Sequence, residues 1–397
     1  MNHNKIILRP DGGIPMSLTY ALAVMAGISV ANIYYCQPLL NLIAQDCSLT
    51  TFEVNLIPVF SQVGYALGLF TIVPMGDKYN RRNTVLVCFF TLMLALVTLY
   101  LAHHTALLLG ASLVIGFCSV CPQVFMPFVS VYARPTEKER KTGIILSGLL
   151  IGILGSRVVS GYVGHVFGWR AIYLVSLVAM AVSAVVIYRI FPDVPSSYKG
   201  SFGSLMVSIG RLLRRYPRSM VFSLRSGLAF GSMLGMWGCL AFRMKEAPYH
   251  AGSDVVGMLG LCGIVGAATA AGVGKYIHRY GIRLFTLLGC GLMLLSWALF
   301  FMFDSRLWGI IAGVILIDIG MQCIQLSNQT ATMQLCPEAS GRMNTIFMVT
   351  YFVGGSFGTF LIGTMYSLMG WTGTVIGGAA MVAVSLVITL AFWKKTA

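Results

Sequence analysis

Twelve runs of apolar residues, each roughly 20 long, follow one another along this chain of 397 residues, and a helix of that length crosses about 30 Å of hydrocarbon. They lie at 17–43, 53–74, 83–102, 106–133, 140–164, 170–191, 219–244, 255–277, 282–302, 307–335, 342–368 and 371–393. Charged residues make up only 10% of the chain, against roughly 25% in a soluble domain. The fold class that follows is an all-α polytopic membrane protein with lipid as its solvent.

The second half repeats the first. At one constant shift, Pro135 answers Pro337, Arg140 answers Arg342, Gly152 answers Gly354, Gly161 answers Gly363, and Gly168-Trp169 answers Gly370-Trp371. One position out of step, Gly274, Arg279, Tyr280, Gly281 and Arg283 copy the loop between Asp77 and Arg82. Such internal symmetry marks duplicated helical units. The expected organisation is a six-helix bundle over 1–191, a basic cytoplasmic linker over 192–218 with an amphipathic end, and a second six-helix bundle over 219–397.

A net charge of +15 in a soluble protein would suggest nucleic acid, but the placement of the charges argues otherwise. Of the 27 Lys and Arg residues, all but Arg170, Arg243, Lys245, Arg306 and two arginines inside spans fall on one side of the alternating loops. This is the positive-inside pattern, which puts both termini in the cytoplasm of a multi-pass protein in a bacterial inner membrane. The ten cysteines lie in or beside apolar runs, so free thiols are expected. Cys118 and Cys121 form a CxxC without a second pair, which reads as packing rather than a metal site. The first run is too long for a signal-peptide core.

The short loop from Gly76 to Arg82 reads Gly-Asp-Lys-Tyr-Asn-Arg-Arg. An Asp at a helix C-terminus opposes the helix dipole and calls for a basic or helix-N-terminal partner. Twelve helices in two repeats, with this loop between helices two and three, resemble the major facilitator superfamily and its motif Gly-x-x-x-Asp-Arg-x-Gly-Arg-Arg. Asp77, Lys78, Arg81 and Arg82 match the charged positions in type, whereas Val73 and Asn80 replace glycines. The resemblance implies the twelve-helix major facilitator fold, with a cytoplasmic gate latched by Asp77, Arg81 and Arg82; Arg140 and Arg342 are assigned to the same gate.

Polar residues inside the spans are expected to face a cavity, because lipid exposure would penalise them heavily. Tyr34 and Gln37 close helix one, Tyr34 serving equally as a ligand contact or as part of the interfacial belt. Helix four carries Gln123 between Pro122 and Pro127, which interrupt the backbone ladder. Helix five combines small residues with Arg157, placed roughly 10 Å from the outer surface by the rise of a helix. Its glycines resemble an antiporter motif of the superfamily, although Arg157 stands where that motif has a Gly-Pro pair. A cavity, a counter-ion or upward snorkelling would each accommodate Arg157. Arg225 in helix seven faces the same choice, and Trp237 lies further along. Asp318 sits about 16 Å deep in helix ten, followed by Gln322, Gln325, Asn328 and Gln329; Asn344 and Tyr351 add polar groups on helix eleven. The resemblance implies that helices one, four, seven and ten line the central cavity.

These features point to a secondary active transporter working by alternating access. No phosphate loop for ATP is present. Asp318 is the candidate proton carrier and Arg157 its coupling partner, since a carboxylate's proton affinity responds to burial and to a nearby cation. The expected activity is proton-coupled efflux of a small drug or metabolite, with H+ as coupling ion, no cofactor, and a monomer among membrane lipids. Uptake or exchange of an organic anion anchored by Arg157 and Arg225 is the alternative. A receptor or enzyme on a transporter fold finds less support, since the histidines all fall in expected termini or loops, away from any nucleophile or metal set.

Overall fold

The computed structural model describes residues 11–193 and 200–392, apart from the side chains at 77, 270, 271, 273–275 and 278. Both termini, expected in the cytoplasm, lie outside the described residues. The first half comprises α1 (Met16–Tyr34), the short α2 (Leu40–Asp46), α3 (Thr51–Lys78), α4 (Arg81–Leu101), α5 (Thr105–Cys118), α6 (Pro122–Tyr132), α7 (Lys138–Phe167) and α8 (Trp169–Ile190). The linker holds α9 (Phe202–Arg215). The second half follows as α10 (Arg218–Lys245), the short α11 (Ser253–Leu259), α12 (Gly263–Tyr280), α13 (Ile282–Met302), α14 (Leu307–Gln334) and α15 (Ser340–Ala391). No strand occurs among the described residues. The architecture is the twelve-span, all-α fold expected, with the first, fourth, eighth and last two spans departing from plain rods.

Local chemistry sets the break in the fourth span and the bend in the last two. Pro122 has no N–H for the carbonyl of Cys118, so the fourth span breaks into α5 and α6 there. The freed carbonyl accepts from the Cys121 thiol at 3.5 Å, and the Ser119 carbonyl accepts from the Ser29 hydroxyl of α1 at 3.3 Å. The CxxC thus helps a proline kink satisfy its backbone in lipid. The eighth span is split by a 3-10 turn at Gly260–Cys262 between α11 and α12. The last two spans run on as α15, bent where Gly370 adopts φ 61°. Gly168, its repeat partner, has φ 83° between α7 and α8. Only glycine enters that region without strain, so both copies of Gly-Trp make the same turn. The indoles then tie neighbouring chain ends, Trp169 donating to Asp46 at 3.1 Å and Trp371 to the Phe300 carbonyl at 3.1 Å.

Within each half the repeated glycines bring backbones together. Gly152 of α7 packs on Gly27 of α1, and its repeat partner Gly354 of α15 packs on Gly227 of α10. Side chains are absent at these crossings because helices in lipid associate through close van der Waals packing rather than a hydrophobic drive. The linker helix α9 is capped by Ser201. It buries Ile209 against Met343 and Ile346 at the start of α15.

The end of the bundle that carries α9 is the linker end; the opposite one is the far end. At the far end the halves meet along two seams. One joins α7 to α11, where Gly161 touches Gly257 and the Ser253 hydroxyl donates to the Gly161 carbonyl at 2.9 Å. The other joins α3 to α15, where Phe52 meets Phe360, Tyr65 meets Phe352, and Gly363 lies against Asn55. Gly161 and Gly363 are repeat partners, so one duplicated position serves both seams. Nearer the linker end, an added Cβ at Gly143 of α7 or Gly272 of α12 would meet nothing within 4 Å.

A Cβ at Gly152 or Gly354 would collide with backbone that cannot retreat, a strain of about 1–3 kcal/mol or more. Gly152→Val and Gly354→Val are expected to lose monodisperse, detergent-extracted protein in fluorescence-detected size exclusion. Gly143→Ala, with open space beside it, should behave as the parent. A normal elution profile for both valine variants would show that these crossings do not hold the helices of each half together.

Candidate functional site

Arg157 organises the far end. It projects from α7 one turn before Gly161 and is 3% exposed. Its Nε donates to the Gln37 Oε1 at 2.7 Å. Its guanidinium lies 4.2 Å from the ring centre of Trp237 and 5.2 Å from that of Tyr34. Aromatic faces attract a cation most strongly where water is excluded. Tyr34 and Gln37 come from the first half and Trp237 from α10 of the second, so the arginine is gripped from both sides. Neither snorkelling nor an interfacial belt describes these residues: Arg157, Tyr34, Gln37 and Trp237 are all buried.

Asp318 of α14 approaches the same place from the second half. A Cβ on Gly260 would stand 3.0 Å from the Arg157 Cβ, and a Cβ on Gly263 would stand 3.2 Å from Asp318 Oδ2. The cation and the carboxylate therefore meet successive turns of one glycine-rich stretch. Among the described residues they form no ion pair within contact distance. Arg157 is satisfied by neutral groups, and Asp318 stands close by on the other half.

Below Asp318, α14 presents Gln322, Gln325 and Gln329, each half-buried. Gln325 accepts from the Tyr351 hydroxyl at 2.9 Å, and Gln329 donates to Asn344 at 2.8 Å. Tyr351 itself stacks on Phe230 at 3.9 Å. The result is a wall of neutral amides and aromatic rings between α14 and α15. Gln123, also half-buried, stands at the start of α6.

Arg225 and Asn328 lie elsewhere. Arg225 is 1% exposed and donates to the Asn328 side chain, while its ring contact is Phe222. Asn328 donates in turn to Thr286 of α13 at 3.2 Å, and Ser385 of α15 donates to the Arg225 carbonyl at 2.9 Å. The pair is a polar core inside the second half rather than cavity wall. The helical pitch that aligns Gln325 and Gln329 turns Asn328 about a quarter of a revolution away.

The expected gate residues gather toward the linker end. Arg81 donates to the Gly76 carbonyl at 3.1 Å, and Arg82 pairs with Asp193 at 3.5 Å, an acid that Asn80 also contacts. Arg342 donates to Ser208 of α9 at 3.1 Å. Arg140 lines a cavity of about 440 Å³ between the segment 12–16 and the start of α7. The Asp77 side chain lies outside the described residues.

Sequence reading did not find the ties that fix the far-end loops. Arg170 pairs with Asp46 and donates to the Ala102 carbonyl. In the second half Arg243 binds the Asp304 carboxylate and carbonyl, and the Tyr249 hydroxyl donates to that same carbonyl. These were legible only as loop charges, since their partners come from other loops. No cluster of metal-ligating residues occurs among the described residues.

A family model described as Major Facilitator Superfamily matches residues 22–359. The uncharacterized transporter YgaY of Escherichia coli O157:H7 is 30% identical over 389 residues, covering 97% of each chain. A probable sugar efflux transporter of Helicobacter pylori is 23% identical over 365 residues, 90% of this chain and 91% of its own. Among solved structures, the nucleoside transporter NupG superposes with a TM-score of 0.75 at 14% identity, covering 96% of this chain and 99% of its own. An inward-facing, occupied bacterial homologue of the lysosomal transporter Spinster gives 0.76 at 14% identity and 96% of each chain.

The internal role of Arg225 has a consequence. Asn328→Leu removes the side-chain acceptor of a buried guanidinium, a loss of about 1.5–3 kcal/mol, and is expected to lower the melting temperature in scanning fluorimetry. Arg225→Met combined with Asn328→Leu should regain stability and retain transport. A well-folded double variant without transport would return Arg225 to the transport site.

Proposed function

The chain belongs to the major facilitator superfamily, a family of small-molecule transporters, and we propose that it works as a proton-coupled exporter of a small organic compound. In this reading the linker end faces the cytoplasm of a bacterial inner membrane, as the basic loops direct. Export proceeds by rocking of the two halves about a central site, in a monomer, with H+ as coupling ion and no other cofactor.

The observation that carries the proposal is the placement of Arg157 and Asp318. They sit on opposite halves, against successive turns of one glycine-rich stretch, with Arg157 held by Gln37 and Trp237 and not by an acid. Separation of the halves at the far end changes the field at Asp318 because the cation leaves with α7. A carboxylate whose surroundings differ between two states exchanges its proton differently in each, and substrate and proton then oppose one another through the shared site. The amide wall of Gln322, Gln325, Gln329 and Asn344 supplies donors and acceptors without charge, which suits a neutral, hydrogen-bonding compound. Relatives named as probable sugar efflux transporters support the export direction. Uptake of an organic anion loses one of its two anchors, because Arg225 is engaged inside the second half.

In proteoliposomes with an imposed pH gradient, a panel of sugars, lipophilic cations and organic acids should reveal one class that moves outward against its own gradient. Asp318→Asn is expected to abolish that accumulation while substrate still binds, now with little dependence on pH between about 5 and 8. Arg157→Ala should uncouple transport at least tenfold without loss of folded protein. Accumulation at the parental rate and pH profile in Asp318→Asn would show that the carboxylate is only a polar contact.

A further inference from the structure

We propose that the cavity at the linker end, between the segment 12–16 and the start of α7, binds the phosphate group of an anionic ligand through Arg134 and Arg140. The site belongs to the first half alone and does not depend on the transport reading above.

The cavity measures about 440 Å³, within the ~300–1,000 Å³ of small-ligand sites. Three cations line it, Arg134, Arg140 and Lys141, against one carboxylate, Glu137. That carboxylate is committed. Lys141, 5% exposed, pairs with Glu137 at 2.7 Å and donates to the Ile14 carbonyl at 2.6 Å. Asp11 pairs with Lys138 at 2.9 Å, and Glu139 is exposed and does not line the cavity. The side chains of Arg134 and Arg140 make no hydrogen bond or ion pair among the described residues. A guanidinium presents a planar fork of donors that matches two phosphate oxygens. Two such forks on one cavity, with the local acids already paired, favour an anion there.

The backbone around the arginines is fixed. Asp11 donates to the Val131 carbonyl at 3.1 Å and Gly13 to the Tyr132 carbonyl at 2.9 Å, which straps the segment across the end of α6. Gly13 has φ 106°, and the Arg134 Nε lies 3.1 Å from where its Cβ would stand. Glycine thus makes the turn and lets Arg134 cross the strap.

The duplicated sequence supplies a comparison within the molecule. Arg140 and Lys141 answer Arg342 and Met343. In the second half that place is covered: Arg342 donates to Ser208 of α9 at 3.1 Å, and Met343 is buried against Ile209. In the first half a lysine replaces the methionine, and the strap leaves the cavity beside Arg140. The residues outside the described ones, 1–10, 194–199 and 393–397, include no acidic side chain. Charge therefore points to an occupant from outside the chain.

An anionic phospholipid has the required group, and basic residues at a membrane surface attract such lipids. Met16 lines the cavity, and Tyr20 and Val24 follow it at four-residue spacing up α1, each 55% exposed. They offer an apolar track for an acyl chain. A soluble phosphate ester would use the same two arginines without the track.

Two probes separate these sources. Native mass spectrometry of the detergent-purified full chain, titrated with phosphatidylglycerol, reads the lipid; scanning fluorimetry with glycerol 3-phosphate reads the soluble ester. Arg134→Gln combined with Arg140→Gln is expected to weaken binding about tenfold or more, since hydrogen bonds to a charged group are lost. Both side chains are exposed, so the double variant should elute as the parent. Arg211→Gln combined with Arg214→Gln removes the same charge from α9 and should leave affinity within about twofold. Binding of phosphatidylglycerol without a response to glycerol 3-phosphate identifies a lipid site, and the reverse identifies a site for a soluble ester. Parental affinity in the cavity variant, an equal loss in the α9 variant, or no binding of either probe to the parent would overturn the site.

Discussion

A guanidinium in the apolar interior of a membrane must be answered by something, since an unpartnered one is strongly disfavoured there. Arg157 is answered by an amide and two aromatic faces rather than by an acid. That choice shapes the far end. A carboxylate in the position of Gln37 would bind the cation in every state and fix the charge on one half. Neutral partners hold it just as securely in place while leaving its field free to act on Asp318. The glycines at 260 and 263 follow from the same requirement, because a side chain at either position would collide with Arg157 or Asp318.

Glycine does two different jobs in this chain, and the duplicated sequence assigns them to different rows. The row containing Gly152 and Gly354 welds helices within a half, backbone against backbone. The row containing Gly161 and Gly363 lies nearer the far end and faces the other half. A small residue allows close packing on one contact and smooth separation on the other. The difference lies in what surrounds it. The welds are buried among apolar side chains of one half, whereas the seams are edged by hydroxyls and amides.

Much of this was legible in the sequence because lipid leaves the chain few options. Span length, loop charge and the repeated Gly-Trp pair each have one physical reading, and the interruption at Pro122 follows from a missing N–H. The rotational setting of a helix was harder to read. Gln325, Asn328 and Gln329 look equivalent in a list of polar residues, yet Asn328 turns inward to Arg225 while the glutamines face α15 or the space beyond. The far-end ties were hidden for another reason. Asp46 with Arg170, and Arg243 with Asp304, join loops remote in sequence, and no spacing rule connects them. Arg82 similarly finds Asp193, an acid at the mouth of the linker, which a motif confined to the loop around Asp77 does not contain.

The distribution of satisfied and unsatisfied polar atoms separates the parts that stay together from those that part. Inside the halves many buried groups are partnered, though Thr374 Oγ1 is not: Trp297 donates to Ser232, Ser232 to the Gly378 carbonyl, Ser296 to the Gly313 carbonyl, and Ser176 to Asn32. On the far seams several are not. Both side-chain polar atoms of Asn55, the Gln62 Oε1 and the Trp237 Nε1 are buried without a protein partner among the described residues. Asn55 lies against Gly363 and Gln62 against Gly355, so the orphans sit on the contact surface itself. Each opposes closure by about 1–3 kcal/mol and is relieved when the seam opens to water. Aromatic contacts such as Tyr65 with Phe352 pull the other way. Apolar packing and buried unsatisfied amides therefore act in opposite directions on the same seam. Opposed terms of that size are within reach of a bound ligand, whose differential affinity of only a few kcal/mol shifts the population of two arrangements.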